Sequence, residues 1–238
     1  MIVLIQFRTD QSGWHEVKCI YEGLELPYSS YLILNAASPY LTAEEIIEIS
    51  RKAKGIILGG NAEGGYEDTE PEKVAHLNRI REKMKIVLAD LETTNIPILG
   101  TCFGHQLLAD YLGGTVEADK SQAETGITSI YLNEDGQKSE IFKGLEHEFK
   151  AVVAHKGSVT RLDHPDATIL ASSERCHNQA IHYKNFYTFQ FHPELNMQDF
   201  EDRVAQYPAY SAAAIDYDPN EKLFVKQILK NFLKLTER

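Results

Sequence analysis

Apolar and polar positions alternate in blocks along the first hundred residues. Short apolar runs, IVLIQF (2–7), YLILNA (31–36), GIILGG (55–60) and IPILGTC (96–102), read as buried strands. Between them, residues 12–24, 42–53 and 70–94 carry helical periodicity. In the last stretch Leu77, Ile80, Met84, Val87, Leu88 and Leu91 fall on one face of a 3.6-residue repeat. TAEE, from Thr42 to Glu45, has the form of a capping box at a helix start. Strands alternating with helices predict an α/β fold: βαβ units building a mostly parallel central sheet with helices on both faces.

The second half is richer in strands: GITSIYL, FKAVVAH, ATILAS, QAIHY and FYTFQFH, separated by turn-rich segments such as NEDGQ and LDHPDA. From Pro219 onward, NEKLFVKQILKNFLKL predicts an amphipathic helix with Phe224, Val225, Ile228, Leu229 and Phe232 on its apolar face. No Ser/Gly-rich linker, repeat or low-complexity tract interrupts the chain. The expectation is one domain over residues 1–238, with a C-terminal extension from about residue 196 that the pattern does not place.

Composition narrows the function. A chain of 238 residues buries a full core without disulfide staples. Lys plus Arg number 24 against 35 for Asp plus Glu, a net charge of -11 that argues against a nucleic-acid surface. The three cysteines, Cys19, Cys102 and Cys176, are scattered in neither a disulfide framework nor a paired zinc spacing. They indicate a reducing, cytoplasmic setting. The opening MIVLIQF meets Arg8 and Asp10 too soon to span a bilayer or act as a signal segment, so no membrane association is expected.

One stretch carries chemistry. In PILGTCFGHQLLADYL, Cys102 stands between a strand and a helix with Gly100 and Gly104 on either side. A side chain at the apex of such a turn forces a cramped backbone, and small neighbours relieve the clashes. The turn aims sulfur at the carboxyl edge of the sheet and at a helix N-terminus, where free N–H groups and the helix dipole favour a thiolate. The N–H of Phe103 points where an oxyanion would form. A buried structural cysteine is the usual fate of a lone Cys in an apolar strand, but the glycines and the strand–turn–helix context favour a nucleophile.

A thiol nucleophile needs a base, and the base an orienting partner. FYTFQFHPELN ends an apolar strand on His192, with Glu194 two residues later and Pro193 restricting the turn between them. By itself this is as well read as an exposed polar turn. Joined to the elbow, it makes a Cys102–His192–Glu194 triad.

GTCFGHQ followed by QFHPE resembles the class I, triad-type glutamine amidotransferases over about residues 1–195. LGGTVE, AETG, AVVAHKGSV, LASSERCHNQAIHY and FQFHPE follow in the order of the stand-alone, GMP-synthase-like group. The resemblance implies a flavodoxin-like fold with Cys102 as nucleophile, His192 as base and Glu194 as orienter. It further implies that the Gly60 amide completes the oxyanion hole with Phe103, and that Gln106 and His155 belong to the substrate pocket. It implies neither metal nor cofactor. The chemistry implied is attack on the glutamine side-chain amide, release of ammonia and hydrolysis of a γ-glutamyl thioester. Taken alone, Gly59–Gly60 fits a strand-end turn, Gln106 a solvated helix residue and His155 a structural loop histidine. Glu124 and Gly126 match an E-x-G near the glutamine site.

The chain departs from that family in two places. Asn61 follows the glycines where the oxyanion loop usually has proline, and the family's His-Gly-Asp turn reads His155-Lys156-Gly157. A cation stands where the family places none, which bears on specificity more than on the triad. The sequence has no ATP-pyrophosphatase loop and no Walker motif, so amination would need a separate synthetase receiving the ammonia. Three functions stay open: a glutamine amidotransferase, a free-standing γ-glutamyl hydrolase or peptidase, and a non-catalytic binding protein of the same fold.

Overall fold

β1 (Ile2–Gln6) is buried at every position, and its side chains divide between two apolar layers. Ile2 and Leu4 enter one core with Val17, Ile20 and Leu24 of α1 (Ser12–Leu24). Val3 and Ile5 enter the other, with Ile46 of α2 (Ala43–Ser50) and the Leu77–Leu91 face of α3 (Pro71–Leu91). This two-residue alternation into two cores is what puts helices on both faces of one sheet. The computed structural model describes residues 1–61, 65–206 and 223–237.

Around β1 lie β2 (Tyr31–Asn35), β3 (Gly55–Leu58), β4 (Ile98–Thr101) and, after α4 (Phe103–Tyr111), the late strand β11 (Phe186–Phe189). These five run parallel in the order β2-β1-β3-β4-β11. The alternation of apolar runs and helices was legible because this parallel core is built from it. The sheet continues antiparallel through β10 (Ala180–Tyr183), β9 (Ala167–Ser172), β6 (Glu124–Leu132) and β7 (Glu148–His155), giving nine strands. The short α5 (Glu134–Lys138) lies between β6 and β7 in sequence. A separate ribbon pairs β5 (Thr115–Ala118) with β8 (Gly157–Arg161), neither of which the apolar pattern predicts, because both are short and largely polar.

The capping box forms as read: Thr42 accepts from the Glu45 N–H, and Glu45 accepts from the Thr42 N–H. Among the described residues, two helices follow the last sheet strand, α6 (Met197–Gln206) and α7 (Lys226–Leu235). The predicted C-terminal helix is shorter than expected, beginning at Lys226, and residues 220–222 of that expectation lie outside the described residues. Val225, Ile228, Leu229 and Phe232 are buried, whereas Phe224 is 66% exposed. The chain is not yet helical at 224, so the repeat that carries its neighbours inward does not reach it. No helix of the described residues is long and apolar enough to cross a membrane.

Parallel strands deliver their following loops to one edge, and ligands collect there. Arg8 follows β1, Gly59 and Gly60 follow β3, Cys102 follows β4, and His192 follows β11. The site is assembled by this shared polarity.

Candidate active site

Cys102 joins β4 directly to α4 with φ 48° and ψ -96°, a left-handed conformation that side chains rarely adopt. The flanking glycines have ordinary φ; closeness, not handedness, requires them. A Cβ at Gly104 would lie 2.6 Å from Leu58 O, and one at Gly100 2.7 Å from Thr188 Cγ2. The Cys102 N–H donates to Phe189 O at 2.7 Å and the Gly104 N–H to Gly59 O at 3.1 Å, tying the elbow to both neighbouring strands. Cys102 caps α4, and Phe103 contributes one of the N–H groups that a helix start leaves without an intrahelical partner.

Sulfur opens onto a cleft whose lining includes Phe103, Gln106, His155, Lys156, Gly157 and Glu67. Burial pushes the Cys102 thiol up to about 12; Arg8 opposes this, while Glu194, Glu67 and Glu16 reinforce it. Burial therefore disfavours the thiolate expected from the helix N-terminus. Desolvation and three carboxylates outweigh one guanidinium.

The imidazole and carboxylate expected to serve Cys102 are paired. His192 Nδ1 lies 2.7 Å from Glu194 Oε1, and both side chains are fully buried. The His192 N–H donates to Val152 O at 2.9 Å, fastening the residue to β7. Glu194 Oε1 accepts from the Nδ1–H of His192, and among the described residues His192 Nε2 has no hydrogen-bond partner. Burial alone would raise the Glu194 carboxyl, but His192 and then Arg203 reverse this and hold it at about 2. Gln190 Nε2 donates to the Cys102 sulfur at 3.7 Å.

The remaining sequence candidates fall into place differently. Gln106 lines the cleft, and its Nε2 donates to Gly157 O at 2.8 Å and Gln190 Oε1 at 3.3 Å. His155 also lines the cleft, but its ring is held in the wall: Nδ1 lies 3.2 Å from Gly157 O and 3.2 Å from Ser158 Oγ. Its Nε2 faces Glu124 Oε2 at 3.6 Å. The Gly60 N–H is not open to a ligand, because it donates to Glu16 Oε1 at 2.7 Å.

Glu124, His155 and Cys176 form a second buried Cys–His–Glu set, with ligand-type atoms within 4.8 Å of one another. Glu124 already accepts from Ser173 Oγ, at 2.8 and 2.9 Å to its two oxygens, and from Gln179 Nε2 at 2.7 Å. Cys176 is wholly buried in the loop between β9 and β10. These bonds tie β6, β7 and that loop into one side of the cleft.

Residues 34–207 match the family described as glutamine amidotransferase class-I. The chain belongs to that family. It is 34% identical over 165 residues to one subunit of the glutamine-hydrolysing GMP synthase from Methanosphaera stadtmanae, covering 68% of this chain and 76% of that protein. Against the glutamine-hydrolysing GMP synthase of Malacoplasma penetrans it is 31% identical over 199 residues, spanning 82% of this chain but 35% of the longer relative. A solved glutamine amidotransferase from Thermotoga maritima superposes with a TM-score of 0.72 at 21% identity, covering 100% of this chain and 99% of that one. The α/β architecture expected from the sequence is the class I amidotransferase architecture.

Several residues of this amidotransferase site escaped sequence reasoning. Gln190 stands two positions before His192 in the quoted strand, where alternation alone would have placed it on the same side. Arg8 and Glu16, 3.2 Å apart and fully buried, carry no motif. Neither does Arg203, which α6 inserts behind Glu194.

Proposed function

We propose that this class I amidotransferase is a glutaminase: Cys102 is its nucleophile, His192 its base and Glu194 the residue that orients the imidazole. The carrying observation is the strained cysteine at the N-terminus of α4, opening onto a cleft, together with the buried His192–Glu194 pair that follows the neighbouring parallel strand β11 at the same sheet edge. Cys176, in the second Cys–His–Glu set, lacks a helix N-terminus, and its carboxylate partner is saturated by Ser173 and Gln179. In the reaction the Cys102 proton passes to His192 Nε2 as sulfur bonds to the side-chain carbonyl carbon of glutamine. The carbonyl oxygen takes the electron pair and is met by the Phe103 N–H. The imidazolium then protonates the departing nitrogen, the C–N bond breaks, and ammonia leaves a γ-glutamyl thioester. Water, deprotonated by the same imidazole, releases glutamate and restores the thiol.

The cleft also supports a reading of the substrate's head. The Glu67 carboxylate and the exposed Lys156 ammonium line it together, and among the described residues neither has a hydrogen-bond or ion-pair partner. A free α-amino group opposite Glu67 and a free α-carboxylate opposite Lys156 would satisfy both. Lys156 is the cation by which the sequence departs from its family.

Ammonia made here would be handed to a separate synthetase in the cytoplasm. The relatives that support this are GMP synthase proteins that exist as individual subunits, which the chain matches over most of their length. The chain itself we take as a single amidotransferase domain. The deciding experiment measures glutamate and ammonia separately from glutamine and from a panel of γ-glutamyl amides and peptides, with Cys102→Ala as control. Glutamine turnover that rises on adding the complementary synthetase component of a two-component GMP synthase supports the reading. Faster cleavage of γ-glutamyl peptides would make the chain a hydrolase instead, and no thiol-dependent turnover of any substrate would leave a binding protein.

A further inference from the structure

The C-terminal extension reaches the catalytic pair. α6 places the Arg203 guanidinium, 1% exposed, with Nη1 3.8 Å from Glu194 Oε1. That oxygen is the one bonded to His192 Nδ1 at 2.7 Å. On its other side the guanidinium is fixed by α1: Nε and Nη2 both lie 3.3 Å from His15 Nδ1. Nitrogen donors can approach Nδ1 so closely only if it holds a lone pair, so His15 is neutral and serves as an acceptor. Burial, reinforced by Arg203, lowers its pKa to about 4.

Among the described residues, the charges that accompany this knot form pairs of their own. Asp199 meets Lys226 of α7 at 2.8 Å, Asp202 meets Lys18 of α1 at 3.9 Å, and Glu16 meets Arg8 at 3.2 Å. Cys19 of α1 packs beside His15 at 3.6 Å and stays a thiol, because burial pushes its pKa far up. On the cleft side Glu194 acts on Cys102, whose thiol burial holds protonated.

We propose that Arg203 is a positioning residue for catalysis, acting through Glu194: it holds Oε1 in place for His192 and lowers the affinity of the imidazole for a proton. The inference rests on the reading of His192 as the base. A carboxylate shared with a guanidinium stabilises imidazolium less than one left to the imidazole alone, and the added positive charge opposes protonation directly. Arg203 thus keeps His192 deprotonated, and able to take the thiol proton, at lower pH. It does not line the cleft, so its effect falls on kcat and not on KM.

The test compares Arg203→Gln and Arg203→Lys in the full chain. Folding is checked by circular dichroism, and the His192 proton affinity is read by NMR titration of its ring protons in a Cys102→Ala background. Arg203→Gln is expected to raise the His192 midpoint by about one pH unit, a tenfold higher proton affinity. The acid limb of kcat/KM should move up with it, while kcat falls several-fold and KM holds. Arg203→Lys keeps the charge without the fork, so the midpoint stays while kcat falls. An unmoved midpoint in folded Arg203→Gln overturns the proposal, whatever happens to stability. Where Arg203→Gln does not fold, Arg203→Gln/Glu194→Gln removes both buried charges together. With the carboxylate gone only the direct effect of the guanidinium charge remains, so its His192 midpoint should exceed that of Glu194→Gln alone by less than about one pH unit. Equality overturns the claim that Arg203 lowers the proton affinity of the imidazole. Because the titration needs no turnover, a chain inactive on every substrate would sink the glutaminase reading while still deciding this one.

Discussion

The Gly60 N–H donates to the buried carboxylate of Glu16, at 2.7 Å from Oε1, and Arg8 Nε holds the same oxygen at 3.2 Å. Gly60 is the amide expected beside Phe103 in the oxyanion hole, so an internal carboxylate occupies the donor that the proposed hole would use. A charged acceptor holds an N–H about twice as strongly as a neutral one. Glu16→Gln keeps the shape but weakens that hold and removes one of the carboxylates that oppose Cys102 ionisation. Glutamine hydrolysis should rise several-fold. Stability should fall by about 3 kcal/mol as buried Arg8 loses its counter-ion. Turnover and urea midpoint, measured on the same preparations, check both; a slower enzyme would mean that the Gly60 amide is not limiting.

Unequal costs are expected within the proposed Cys102–His192–Glu194 triad. Cys102→Ala removes the attacking atom and His192→Ala the proton carrier, and each should lower kcat by about 10⁴ or more. Glu194→Gln still accepts from Nδ1 but offers no charge to the imidazolium, so a loss of about 10² is expected. The Cys102/His192 double variant should be scarcely worse than Cys102→Ala, since groups acting as one unit are not additive. Comparable activity in folded His192→Ala would move the base elsewhere.

At the other end of the cleft, Lys156→Met and Glu67→Gln should each raise the KM for glutamine about tenfold while leaving kcat within a factor of about three. A head-group contact holds substrate and transition state alike. The two variants should differ in which ligand they lose: α-N-acetylglutamine should be indifferent to Glu67→Gln, and glutamine α-methyl ester to Lys156→Met. A fall in kcat without change in KM would place these residues in the chemistry instead.

What the sequence disclosed and what it hid have physical causes. Cys102 was legible because its turn demands Gly100 and Gly104 at fixed offsets, where a Cβ would strike Thr188 and Leu58. His192 and Glu194 were legible because their contact is local, two residues apart. Arg203 was hidden because its partners, Glu194 and His15, lie on other elements and no spacing connects 15, 194 and 203. Glu16 looks like any polar residue of an amphipathic helix until α1 docks and turns it toward Gly60. The thiolate expected at Cys102 came from the helix end alone; burial and the surrounding carboxylates, which are tertiary facts, reversed it. Phe224 went astray for a local reason, since periodicity was extended past the point where the helix begins.

Two buried histidines make stability pH-dependent. Burial lowers His15 to about 4 and His105 to about 3, so both stay neutral in the fold while the unfolded chain binds their protons below about 6.5. Their contribution is fully present above about pH 6.5 and is lost as pH falls toward 4 and 3. The urea midpoint should therefore drop steadily from about pH 6.5 to about pH 4.5, and His105→Gln, if folded, should reduce that slope over the whole interval. A midpoint constant over the range would show that these rings are protonated in the fold.

Accessibility, not acidity, should distinguish the thiols. Burial raises all three: Cys102 and Cys176 to about 12, and Cys19 further still. At pH 7.5 each carries a vanishing thiolate fraction, so intrinsic reactivity barely separates them. Cys102 alone of the three lines the substrate cleft, at 6% exposed, whereas Cys19 and Cys176 are wholly enclosed at 0%. Iodoacetamide followed by peptide mass mapping should label Cys102 first, with the other two following at the rate of unfolding. The Cys102 rate should rise about tenfold per pH unit between 7 and 9, because its pKa lies well above that range. Saturating glutamine should slow Cys102 alone, and Glu16→Gln should speed it. Equal labelling of the three cysteines in folded protein, or a Cys102 rate indifferent to glutamine, would separate the cleft from the nucleophile.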